Sequence, residues 1–220
     1  MTAFAYTVSV AKVVAKRAAI LAAAQTCFWR NGIRRTAIED VAREAAVAKG
    51  TVYLYFASKE ELFASLASEM CEAALVGVRE ALADRGPLTR RLAAALDAKI
   101  GYFHRLLAGS PHAAELVESK AAVAERSFAA LERDFHAALE RALVDAGAAG
   151  DARARAELLD LILAAAYGTA RQAELRGESS PEVYRARLQL HLDRLLGASA
   201  SVRAREATPR AARARSRAAR

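Results

Sequence analysis

Cysteine is nearly absent: Cys27 and Cys71 are the two in 220 residues. They lie too far apart for a metal or thiol-redox motif, and Cys27, beside Phe28, suits a small buried position. Proline (4) and glycine (11) are also few, so little interrupts helix formation. Aromatic residues make up 6% against 54% apolar, which leaves a core of Ala, Leu and Val. No run alternates apolar and polar residues as a half-buried strand would, and the fold class expected is all-α. No stretch of 18 apolar residues exists; the longest candidate, Leu161 to Ala170, is bounded by Asp160 and Arg171. The first residues lack a basic segment before an apolar one, so neither a membrane span nor a secretory leader is expected and the location expected is cytoplasmic. A phosphate-binding glycine loop, HExxH and GxSxG are all missing, and His104, His112, His136 and His191 share no ligand spacing. An enzyme is therefore not expected, nor catalytic residues, a metal or a cofactor.

What is present is an uneven charge. The net +8 divides into +6 over residues 1–59, −4 over 60–197 and +6 over 198–220. A basic head and tail flank an acidic middle, and only the ends suit a polyanion. Residues 1–10 read as an irregular extension. A helical pattern then runs from Ala11 to Asn31, with Val13, Ile20, Leu21, Ala24 and Phe28 on its apolar side and Asn31-Gly32 as its stop. Lys12, Lys16 and Arg17 lie near that helix start, where the dipole disfavours cations, so their charge serves a partner or solubility.

Two helix-start signals follow, 22 residues apart: Thr36 with Glu39 and Ser58 with Glu61, each with capping-box spacing. Between them Ile38, Val41, Ala42 and Ala45 mark one helix face, and Val47 to Tyr53 forms a second short segment. Two helices this short need a third to pack on, which gives a helix-turn-helix over 11–57. Its outward positions would be Lys49, Gly50, Thr51, Tyr53 and Tyr55. Residues 58–197 read as a larger helical body, entered by the helix from Ser58 to about Asp84. Further stretches are predicted over 88–108, Pro111 to about Lys120, 121–146, 151–176 (capped by Asp151) and 181–197 (capped by Ser180). In the fourth of these, Leu158, Ile162, Ala165, Thr169 and Gln172 form the apolar stripe. Residues 198–220 carry seven Arg and almost nothing to bury, and read as a disordered Arg-rich tail, either touching DNA phosphates or simply solvated.

The span from Arg17 to Phe63 resembles the N-terminal domain of the TetR family of bacterial transcriptional regulators. The resemblance rests on the helix from Ala18, on Phe28, Asn31-Gly32 and Thr36, and on the runs Val41 to Ala45, Lys49 to Tyr53 and Tyr55 to Phe63. It implies a three-helix helix-turn-helix head followed by a helical-bundle ligand-binding and dimerisation domain. The chain would be a repressor that binds an inverted-repeat, double-stranded operator as a homodimer through residues 151–197 and is released by a small molecule. DNA contacts would come from Thr36, Ala48, Lys49, Gly50, Thr51, Tyr53, Tyr55 and Lys59, with Arg34 and Arg35 as further backbone contacts. Ala48 stands where the family often has Ser, and Ala46 where it commonly has Gly. If φ is positive there, alanine costs about 1 kcal/mol over glycine. Candidates for a ligand pocket are Tyr102, Phe103, His104, Phe128, Phe135, His136, Tyr167 and Gln172, each of which also suits core packing. A body that answers to a protein partner, or a pocketless dimer scaffold, fits the sequence too.

Overall fold

The computed structural model describes residues 2–148, 150–178 and 180–197, with backbone alone at 2–10 and 120–123. Every regular element among them is helical: α1 (Thr2–Asn31), α2 (Ile38–Glu44), α3 (Lys49–Tyr55), α4 (Lys59–Ala83), α5 (Leu88–Leu96), α6 (Tyr102–Ala108), α7 (Ala113–Val123), α8 (Glu125–Asp145) and α9 (Ala152–Leu175). A last helix, α10, covers 181–197. No described helix is long and apolar enough to cross a membrane. The chain divides into two compact units, Met1–Ala73 with Arg105–Glu132, and Ala74–His104 with Arg133–Arg220. That corrects the boundary expected at residue 58: the first turns of α4 stay with the head, and a distant segment returns to complete it. The Arg-rich tail expected over 198–220 lies outside the described residues.

In the first unit, α1 starts at Thr2, so residues 2–10 are helical rather than irregular. Lys12, Lys16 and Arg17 consequently sit well inside the helix, and the dipole objection to them disappears. Val13 is exposed, contrary to its expected place on the apolar side. The buried face begins at Ile20 and continues through Leu21, Ala24, Cys27 and Phe28. Phe28 meets Phe63 of α4 edge to face, with ring centroids 5.9 Å apart. Val41, Val52, Phe56 and Leu62 close the same core. At the end of α1, Gly32 has φ +80°, and a Cβ there would meet the Glu115 carboxylate. Its left-handed conformation favours glycine, and a larger residue would also displace the Glu115 carboxylate.

The turn between α2 and α3 holds Ala46 at φ +53°, the left-handed region. The penalty foreseen for alanine therefore applies. Ala46→Gly should raise the unfolding free energy by about 1 kcal/mol, read as a higher melting temperature; a lower one would mean that the added backbone freedom of glycine outweighs the strain.

The second unit packs α5, the last turns of α4, most of α8, α9 and α10 around Leu92, Leu96, Phe135, Leu139, Ile162, Leu188 and Leu192. Asp151 caps α9 as expected, accepting from the Ala154 N–H at 2.8 Å, and Ser180 Oγ accepts from Val183 N–H at 3.4 Å at the start of α10. The helix predicted over 88–108 is interrupted by one π-helical turn, Asp97–Gly101. This wider turn buries Asp97 and Lys99, and no residue of α6 beyond it is buried. On the outer side of α9, Leu161, Gly168 and Leu175 recur at seven-residue spacing and are exposed; Val183 and Leu190 do the same on α10. Gln172 shares that outer face rather than the buried stripe.

Candidate nucleic-acid interface

The start of α2 is not the capping box that the spacing suggests. Thr36 is 1% exposed. Its hydroxyl donates to the Gly32 carbonyl at 2.6 Å, with the Cys27 carbonyl at 3.2 Å. The N-cap is Ala37, extended at φ −91°, ψ 156°, and the reciprocal bond comes from Asp40, whose carboxylate accepts the Ala37 N–H at 3.1 Å. That bond holds the Asp40 carboxyl below its usual range. Half of the device is thus kept, one residue further on: Ala37 has no polar side chain to cap with. Thr36 fastens the end of α1 from inside, which corrects the expected contact of its hydroxyl with DNA. Glu39 is left pointing outward.

Helix α3 follows from Ala48, an extended N-cap with no side-chain capping bond. Val52 is the buried residue of this helix, and with buried Phe56 just beyond it forms the inward pair that the sequence suggested. The opposite side is open. Ala48, Lys49, Gly50 and Tyr53 are exposed, while Thr51 and Tyr55 are half-buried. A Cβ built on Gly50 would meet nothing within 4 Å, so the fold itself has no steric need for glycine there. Leu54, which the sequence reading passed over, is 84% exposed. Its signal was a large apolar residue between two tyrosines with no place on the inward stripe.

Lys49 is held from two sides. Its Nζ lies 2.6 Å from Glu39 Oε1 and 5.7 Å from the centroid of the Tyr53 ring. The hydrogen bond to Lys49 pulls the Glu39 carboxyl below its ordinary range and in turn raises the Lys49 ammonium. Both groups stay charged at neutral pH.

At the start of α4 the second capping signal is half as expected. Ser58 Oγ accepts from the Glu61 N–H at 3.1 Å, but the Glu61 carboxylate reaches one residue further back, to the Ala57 N–H at 2.7 Å. Lys59 Nζ donates to the carbonyls of Arg34 (3.2 Å) and Thr36 (3.1 Å), tying α4 to the loop before α2. Two of its three N–H groups are committed, which leaves one for an outside acceptor. Arg34 is engaged by α7: its backbone N–H donates to Glu115 Oε1 at 2.5 Å, and its guanidinium meets Glu118 at 2.7 Å. Ser110 Oγ donates to the Trp29 carbonyl at 2.8 Å, and Trp29 Nε1 donates to the Leu106 carbonyl at 3.0 Å. None of these long-range partners had a signal in the sequence. Arg35 is exposed.

Of the pocket candidates, the second unit brings two together. Phe135 is fully buried and Tyr167 is half-exposed, and both face Lys99, whose Nζ lies 4.9 Å from the Phe135 ring centroid and 3.1 Å from Tyr167 Oη. Lys99 was missed; its signal was a cation on the apolar stripe of Leu92 and Leu96. His104 Nε2 lies 3.4 Å from Glu174. Gln172 and His136 are exposed, Tyr102 and Phe103 are half-buried against each other, and Phe128 belongs to the first unit. Among the described residues no three metal-ligating side chains gather.

Residues 20–66 match the family described as bacterial regulatory proteins, tetR family. A regulator from Bacillus subtilis, the uncharacterized HTH-type transcriptional regulator YfiR, is 48% identical over 48 residues, 22% of this chain and 23% of that protein. The chain spans less than two-fifths of the length of such curated relatives. Two solved structures share the fold far more widely. The fatty acid degradation regulator FadR of Bacillus halodurans superposes with a TM-score of 0.60 over 83% of this chain and 95% of its own, at 18% identity. The FadR of Bacillus subtilis in complex with stearoyl-CoA gives 0.57 over 79% and 96%, also at 18% identity.

Proposed function

With residues 20–66 belonging to the TetR family of bacterial regulatory proteins, we propose that the whole chain is a ligand-responsive transcriptional repressor that binds an inverted-repeat operator as a dimer. The observation that carries the reading is the open side of α3. Glycine inside a helix costs about 1 kcal/mol relative to alanine, and at position 50 no neighbour in the protein asks for it. A surface that must come close to the outer side of α3 does. Lys49, Thr51 and Tyr53 beside it supply donors for base edges and phosphates, and the remaining N–H of Lys59 suits a phosphate.

Dimerisation is supported by the exposed stripes on α9 and α10. Such stripes on neighbouring helices associate when a second copy supplies the same surface, as a twofold interface requires. Two heads so joined would address half-sites in successive major grooves. Release by a small molecule is supported by the stearoyl-CoA complex of a protein with this fold and by Lys99, a buried cation between two aromatic rings in the second unit. Helix α4 runs unbroken through the boundary between the units, so a ligand that displaces its second half alters its first. Ligand and DNA then weaken each other by the same factor.

Gly50→Leu separates the DNA reading from fold stability. Leucine favours helix and meets open space, so the melting temperature should hold or rise while operator affinity collapses. Unchanged affinity for DNA would remove α3 as the reading helix. Long-chain acyl-CoA is the first ligand to titrate against the protein–operator complex, and an affinity that no saturating small molecule lowers would remove the release step.

A further inference from the structure

The pair formed by Glu39 and Lys49 is unusual for a surface meant to meet DNA. A carboxylate held 2.6 Å from the ammonium leaves the two together close to neutral, and the carboxylate repels a phosphate that approaches the lysine. A backbone contact is therefore badly served. A base edge is well served, because bases present donors and acceptors rather than net charge. Both side chains are 52% exposed, and the Tyr53 ring flanks the lysine on its second side.

We propose that Glu39 and Lys49 act as one reader of a G·C base pair in the major groove. This rests on the reading of α3 as the DNA-facing helix and names what its first residue recognises. Guanine offers two adjacent acceptors, N7 and O6, and cytosine places its N4 amino donor beside them. O6 and N4 are hydrogen-bonded to each other at about 2.9 Å, the ordinary N–H···O distance. A lysine donor and a glutamate acceptor 2.6 Å apart match that spacing in the matching order. Lys49 donates across N7 and O6 while Glu39 accepts from N4. An A·T pair places its amino donor directly beside N7, so the lysine loses its second acceptor. Glu39 is thus a specificity-determining residue on α2 rather than a solvated charge, and Gly50, next to Lys49, allows the approach.

The test is selection of binding sequences from a random duplex library by the full chain and by its Glu39→Ala and Lys49→Ala variants. Thermal melting checks that these two exposed truncations leave the fold intact. The unaltered protein should enrich an inverted repeat with one fixed G·C pair in each half-site. Each variant should relax that same pair by about ten-fold or more and leave the other positions as they were. If Glu39→Ala instead strengthens binding to all sequences alike and steepens its salt dependence, Glu39 only masks a phosphate-binding lysine and the proposal falls. It also falls if the two variants relax different positions. Enrichment of no sequence by the unaltered protein would overturn the operator-binding reading as well, a result distinct from both.

Discussion

Phe28→Ala should cost about 3–5 kcal/mol of folding free energy and take DNA binding with it. The ring is 0% exposed and stands edge to face with Phe63, an arrangement that adds to the burial of the two rings. It lies on α1, while Phe63 lies on α4, and the core that includes these rings supports α2 and α3 through Val41, Val52 and Phe56. Removing the ring leaves a cavity that these short helices cannot fill, because α2 and α3 have seven residues each and the exposed Leu54 of α3 lies on the side away from buried Val52. A marginally stable domain has little margin for such a loss. Calorimetry should show the first unit melting earlier, with the transition of the second unit less affected. A loss below about 1 kcal/mol would show that the head does not rest on this ring pair, since a Phe→Ala change in a packed core exceeds that figure.

Leu161→Glu together with Leu190→Glu should convert the proposed dimer to monomer. Both leucines are about half exposed in the single chain, so the charges are tolerated by the isolated fold. In a twofold interface each introduced carboxylate would be desolvated and would face apolar side chains, and each change occurs twice. Losing the link between two heads removes the effective-concentration gain of bivalent binding, and operator affinity should drop by about 100-fold or more. Sedimentation at several protein concentrations gives the mass, and binding to half-site and full-site duplexes gives the coupling. If the doubly substituted chain keeps a dimer mass, the interface lies elsewhere.

Much of the architecture was legible because it is written in local signals. Asn31-Gly32, Asp151 and Ser180 each mark a helix end by chemistry that acts within a few residues, and Val52 with Phe56 declared the inward side of α3. The errors share a physical cause, which is that local spacing can be satisfied in more than one register. Thr36 and Glu39 fit a capping box, but a buried position beside the Gly32 carbonyl claimed the hydroxyl, and Asp40 took over the cap. Lys99 stands at helical spacing from buried Leu92 and Leu96, but a lone lysine is ordinarily a solvated charge, so its burial was not legible. The spacing from Thr36 makes Glu39 a cap partner, whereas its contact with Lys49 depends on how α2 and α3 cross. The bonds from Leu106, Ser110, Glu115 and Glu118 to the end of α1 could not be read at all, because nothing local distinguishes them from other polar surface.

Those bonds also set a timetable for synthesis. Ser110 is 81 residues later in the chain than the Trp29 carbonyl to which it donates. At about 5–20 residues per second, the ribosome delivers Trp29 roughly 4–16 s before its partner. During that interval α1, α2 and α3 can assemble on Phe28, but the indole N–H and the loop after α1 still lack their acceptors. The proposed reading head is therefore encoded first and completed late, and a nascent chain interrupted before α7 would carry the proposed DNA-binding surface on an unfinished foundation.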